Sequence, residues 1–130
     1  MIRRSSLRAA IAALVLVSAF ALGSCSTAPV VIPADLEART LVQRAQEAAD
    51  ASKYDLAIRY YQALIDQYGK DPVNHVIADY EIAFITYKQG KEERAKELFS
   101  AILERYQGPG AAALPPLYKV LSEKILAKLK

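Results

Sequence analysis

Residues 83–106 read AFITYKQGKEERAKELFSAILERY, two short helices folded back on each other around Gly90. Upstream of the glycine, Val76, Tyr80, Ala83 and Tyr87 recur at steps of four, three and four, the spacing of one helix face. Downstream, Ala95, Leu98, Phe99, Ile102, Leu103 and Tyr106 repeat that pattern. Gly90 ends the first helix, because the left-handed backbone of a C-terminal cap carries no steric penalty for glycine. Ala83 and Ala95 are small enough to let the two backbones approach where they cross. The stretch predicts a helical hairpin.

The hairpin has an earlier copy. A shift of 38 residues places Ala95 on Ala57, Ala83 on Ala45, Phe99 on Tyr61 and Tyr106 on Tyr68. Residues 45–68, AQEAADASKYDLAIRYYQALIDQY, therefore repeat the same unit, with Ser52-Lys53 standing where Gly90-Lys91 stands in the second copy. The small residue of each first helix (Ala45, Ala83) and the alanine–aromatic–aliphatic set of each second helix (Ala57, Tyr61, Leu64; Ala95, Phe99, Ile102) resemble the tetratricopeptide (TPR) family. The resemblance covers roughly residues 36–107. It departs from the family in its period, usually about 34 residues, and in lacking the early tryptophan, since the chain has no Trp.

The N-terminus has the pattern of an export signal. Arg3, Arg4 and Arg8 precede an apolar run, Ile11 to Leu22, of 12 residues. A bilayer span needs about 20. The run ends in Leu22-Gly23-Ser24-Cys25, which resembles the lipobox of bacterial lipoproteins. That resemblance makes Cys25 the lipidated first residue of the mature protein. Cys25 is also the single cysteine of the chain, so no internal disulfide is open to it; simple secretion with cleavage nearby is the other reading. Acyl chains in pairs anchor a protein stably, at ~0.8 kcal/mol per buried methylene. The division is then a signal at 1–24, a lipidated cysteine and linker at 25–34, and a helical domain at 35–130.

Pro29 and Pro33 favour an extended spacer that holds the domain off the lipid. Val30, Val31 and Ile32 either belong to it or pack on the first helix. Asp35 is placed to cap that helix. Between the copies, Gly69 suits a C-terminal cap, Asp71 the next N-cap and Pro72 the first helical position. After the break at 107–113, Pro115-Pro116 opens a last helix with an apolar stripe of Leu117, Val120, Leu121, Ile125 and Leu129. Its other face carries Lys119, Lys124, Lys128 and Lys130 against Glu123. That helix either caps an open repeat stack or lays a basic face on anionic lipid or an acidic partner; the cap is favoured, because two repeats leave an apolar edge to cover. The expected fold is all-α: two TPR-like hairpins and a C-terminal capping helix in a short right-handed stack. Two repeats fall short of the three or so that independent stability usually takes. Either the cap docks tightly or the chain self-associates.

Catalytic residues, metal ligands and cofactors are not expected, and the chain reads as a non-enzyme. His75 is the one histidine and no glycine-framed serine accompanies it. Without Arg3, Arg4 and Arg8 the 17 basic side chains fall to 14, matching the 14 acidic ones. A balanced chain lacks the concentrated basic surface that nucleic acid requires. Of the eight tyrosines, Tyr61, Tyr68 and Tyr106 fall at core positions, whereas Tyr60, Tyr80 and Tyr87 are expected to be partly exposed. First helices of TPR hairpins line the binding groove. The resemblance therefore puts Asn74, Ile77, Asp79, Glu81, Thr86 and Lys88 beside a partner-binding surface, and the enrichment of tyrosine in interface hot spots adds Tyr80 and Tyr87 to it. Lys119, Lys124 and Lys128 are the candidate contacts to lipid or an acidic partner. These expectations add up to a lipid-anchored interaction module on the exported side of a bacterial membrane, inner or outer, binding envelope proteins. A structural protein of the lipid surface is the alternative.

Overall fold

The structure, a computed structural model, describes residues 30–129. Five helices follow one another: α1 Ala38–Asp50, α2 Tyr54–Tyr68, α3 Pro72–Lys88, α4 Glu92–Arg105 and α5 Pro116–Lys128, with a 3-10 turn at Ala111–Ala113 before the last. The fold is all-α, two helical hairpins and a C-terminal helix. The signal, Cys25 and residues 26–29 lie outside the described residues.

Each helix packs on the next, and α5 also reaches α3. The 38-residue repeat is visible in burial: Ala45 and Ala83, Ala57 and Ala95, Tyr61 and Phe99, Leu64 and Ile102 are all buried pairs. Alanines at the crossings leave room for the aromatic ring beside them, so Tyr61 and Phe99 fill the centres of the two hairpins. α3 joins the two cores. Its Ala78 and Ile85 pack with Tyr60, Tyr61 and Leu64, while its Val76, Tyr80 and Ala83 pack with Phe99, Ile102, Ile125 and Leu129.

The hairpin turns are alike to the hydrogen bond. Gly90 is left-handed at φ +74, and Ser52, its counterpart, is left-handed at φ +58. Lys53 N–H donates to Ala48 O at 2.8 Å, and Lys91 N–H to Thr86 O at 3.2 Å. These six-to-one bonds close both helix ends in the Schellman manner.

Between the copies, Asp71 Oδ1 accepts from Val73 N–H at 2.9 Å, with Pro72 in the first turn. Gly69 differs from expectation. It is right-handed (φ −67, ψ −5), and glycine is needed there because a Cβ would collide with the Ile65 carbonyl oxygen.

Asp35 does not cap α1; the N-cap is Glu37, with no side-chain hydrogen bond. Residues 30–36 are committed elsewhere, running beside α2. Arg59 donates to Val30 O at 2.6 Å and Tyr68 Oη to Leu36 O at 2.9 Å, while Ile32 and Leu36 pack on the first core. So the end of the expected spacer, residues 30–34, belongs to a docked arm.

α5 closes the second core with a face turned from the one expected: Leu121, Ile125 and Leu129 pack as the stripe predicts, and Leu117 and Val120 do not. Ser122, Ile125 and Leu129 are buried, whereas Leu117 and Val120 are 56 % and 52 % exposed. The hydroxyl of Ser122 is satisfied by Tyr118 O at 2.7 Å, so this small polar residue can sit in the interface. Tyr106 Oη donates to Pro115 O at 2.6 Å and fixes the chain as it enters α5.

Candidate functional site

α3 lies between two cores, and the strip of it along their border is the candidate surface. Positions 77, 81, 84 and 88 fall on one side at steps of four, three and four. Ile77, Glu81 and Phe84 are half-buried and Lys88 is exposed. The Lys88 ammonium lies 5.4 Å from the centre of the Tyr54 ring and 6.0 Å from that of Phe84. This holds the cation at the end of the strip, a contact of ~0.5–1 kcal/mol where solvent reaches it.

Glu81 is the unusual member. Among the described residues no hydrogen bond or ion pair within contact distance holds its carboxylate. Burial keeps the carboxyl above its ordinary 4.5, and the Lys88 charge pulls it part of the way back. Burial, and then the Glu81 charge, push the hydroxyls of Tyr61, Tyr80 and Tyr118 upward. The Glu81 charge is thus felt by tyrosines of α2, α3 and α5.

Of the residues expected at a partner surface, Ile77, Glu81 and Lys88 share this strip. Tyr80 is a correction. It is 7 % exposed, stacked on Phe84 at 6.0 Å and tilted against Phe99 at 5.8 Å and Tyr118 at 5.3 Å. Its position faces the α4–α5 side, so α5 covers it. Tyr60, expected to be partly exposed, is likewise buried. Tyr87 is half-buried at the border of the second core, 6.2 Å from Phe84. Asn74 is half-buried, and its amide donates to Asp71 Oδ2 at 3.2 Å as part of the cap. Phe84 joins the strip beyond the expected contacts, and its place three residues after Glu81 marks it as a neighbour.

Asp79 and Thr86 do not border this strip. Two residues along a helix is a turn of about 200°, which sends Asp79 to the opposite side from Glu81. There Arg105 Nη2 donates to Asp79 Oδ2 at 3.0 Å and to His75 Nε2 at 2.9 Å. His75 Nδ1–H donates to Gly69 O at 3.2 Å, which leaves Nε2 as the acceptor. His75 is therefore a clasp between the interhairpin loop, α3 and α4. Thr86 is buried, its hydroxyl donating to Ile82 O at 2.7 Å.

A groove of about 490 Å³ runs between α1 and α2, lined by Thr40, Arg44, Glu47, Lys53, Leu56 and Tyr60 among others. Its counterpart in the second hairpin is where α2 packs. There Ala78, Ile82 and Ile85 take the places of Thr40, Arg44 and Glu47. Polar side chains at those three positions keep the first hairpin's edge wet.

Lys119, Lys124 and Lys128 are all exposed on α5. Among the described residues, no group of His, Cys, Asp and Glu side chains converges on a metal geometry, and no helix is long and apolar enough to cross a membrane.

The chain is similar to an uncharacterized protein of Treponema pallidum (strain Nichols), 32 % identical over 117 residues. The match covers 88 % of this chain and 47 % of that protein, so the chain spans about half the length of the relative. No family model matches the chain, and no solved structure matches it.

Proposed function

We propose that this protein is a lipid-anchored interaction module of the bacterial cell envelope, receiving a segment of a partner protein on this strip of α3. What carries the reading is Glu81. A half-buried carboxylate without a close partner, one helical turn from Phe84, costs stability where it stands. A partner's polar or basic group completes it. The TPR resemblance adds support, because first helices of that family line the binding groove. The lipobox-like Leu22-Gly23-Ser24-Cys25 behind an export signal supports the anchor, which raises the module's effective concentration at the membrane.

The test is a mild crosslink and recovery from membranes with the full-length protein, a Cys25→Ala variant and a Glu81→Lys variant. One or a few envelope proteins recovered with the parent, and lost with Glu81→Lys while the helical signal stays intact, support the reading. Identical recovery with Glu81→Lys overturns the groove. Membrane fractionation of Cys25→Ala unchanged from the parent overturns the anchor.

A further inference from the structure

The outward face of α5 brings exposed apolar groups together with several cations that no ion pair holds among the described residues. Around the helix, Val120 and Ala127 sit at the centre of the exposed side, with Leu117, Lys124 and Lys128 along one flank and Lys119 beyond Glu123 on the other. Leu117 and Val120 are 56 % and 52 % exposed, large groups that the fold left in water when it turned Ser122, Ile125 and Leu129 inward. The cations differ from those of α4. There Arg94 is paired with Glu97 at 2.6 Å and Lys96 with Glu93 at 2.7 Å. Among the described residues no ion pair holds Lys119, Lys124 or Lys128. Helix-dipole pairing explains Lys128, in the last turn, but not Lys119 or Lys124.

We propose that the outer face of α5 lies on an anionic membrane surface, with Leu117 and Val120 entering the headgroup boundary and Lys119, Lys124 and Lys128 meeting lipid phosphates. The inference goes beyond the α3 strip and rests on different residues. The face is convex and one helix wide, so it offers no cleft to a partner side chain. A stable protein interface buries roughly 800 Å² per side, more than one helix face with two large apolar groups supplies. A second copy would bring lysines against lysines. A fluid anionic surface needs neither cleft nor matched shape, and lysine stems run along apolar neighbours while their ammonium groups reach phosphate.

The chain has no tryptophan, so Val120→Trp supplies a sole reporter in the full-length protein, with Ser100→Trp on exposed α4 as the control. Vesicles of phosphatidylglycerol and phosphatidylcholine are compared with vesicles of phosphatidylcholine alone, each with and without brominated acyl chains. We expect blue-shifted emission and bromine quenching of the residue-120 reporter on the anionic vesicles alone, reversed by high salt, and neither at residue 100. Each lysine near an anionic surface is worth roughly a fivefold factor in partitioning. Replacing Lys119, Lys124 and Lys128 by Gln in the Val120→Trp protein is therefore expected to cut the docked fraction's equilibrium constant roughly a hundredfold. Emission at residue 120 that is the same on both vesicles overturns the proposal, as does quenching that survives the triple lysine change. Lysine-dependent capture of an acidic protein without lipid quenching assigns the face to a protein instead and overturns it too.

Discussion

Ser52 and Gly90 hold the same left-handed turn, 38 residues apart, at φ +58 and φ +74. The residues that follow them match as closely, Lys53 at φ −84, ψ 62 and Lys91 at φ −84, ψ 64. One hairpin uses the residue that adopts this backbone freely and the other uses one that does not. A left-handed L-residue costs roughly 1–2 kcal/mol, against roughly 0.5–1 kcal/mol for glycine's extra freedom in the unfolded chain. Ser52→Gly is expected to stabilise the protein by about 0.5–1 kcal/mol. Gly90→Ala should destabilise it by about 1 kcal/mol, through backbone strain alone, since a Cβ there meets nothing within 4 Å. Thermal unfolding reads both, at about 4–8 °C per kcal/mol for a domain of this size. Equal and opposite failure, with Ser52→Gly destabilising, would show that the serine is held by more than its backbone.

Arg105 is the counterpart of Gln67, and Asp79 of Leu41. In the first hairpin the docked arm packs Ile32 and Leu36 on the core, and Leu41 is fully buried. In the second, the same pair of positions carries an ion pair with His75 attached. The side chains of Arg105 and Asp79 are 41 % and 24 % exposed, so solvent screens the pair. A double-mutant cycle of Asp79→Ala and Arg105→Ala is expected to give a coupling of about 0.5–1 kcal/mol. Coupling near zero would leave the clasp without energetic content.

The hairpins were legible because their signals are local. Period, small crossing residues, Gly90 and the Asp71-Pro72 cap each act within one turn of chain, so the helix ends fall within a residue or two of expectation. What failed was decided by distant partners. Leu117 and Val120 continue an apolar stripe along α5, but α4 selects the Ser122–Ile125–Leu129 side, and a serine satisfied by its own helix leaves no apolar signal. Tyr80 lies on the Val76–Ala83 face that the period of α3 marks out, and it is no exposed contact because Phe99 of α4 and Tyr118 of α5 cover it. The arm at residues 30–36 is held through its backbone carbonyls, which side-chain patterns do not report. Gly69 is required by a backbone collision, not by its own dihedral angles.

α5 is a structural part of the second core whatever its outer face does. Ile125 is 8 % exposed beside Phe99 and Ile102 in that core. Ile125→Ala is expected to cost about 2–4 kcal/mol, a transfer and a cavity contribution together. Ending the chain at Gly110 removes Tyr118, Ser122, Ile125 and Leu129 at once and bares Tyr80 and Phe99. Such a protein should unfold or self-associate, as read by sedimentation and far-ultraviolet circular dichroism. A folded monomer would mean that two hairpins suffice without the cap.

Glu81 gives the fold a pH dependence whose sign follows from its surroundings. Its carboxyl is held above the ordinary 4.5 by burial, with Lys88 in partial opposition. A folded-state value above the unfolded one means that the folded protein binds more protons in that window, so ionisation of Glu81 works against folding. The penalty is absent below the unfolded value near 4.5, grows as pH rises towards the folded value, and is fully present above it. Glu81→Gln keeps the shape and removes the charge. It is expected to raise the unfolding temperature at pH 7 and to leave it unchanged at pH 4 or below, relative to the parent at each pH. A variant that is less stable than the parent at pH 7 would mean that Lys88 and the tyrosine hydroxyls stabilise the carboxylate more than burial penalises it. In that case Glu81 would belong to the fold, and the strained carboxylate on which the partner strip depends would be gone.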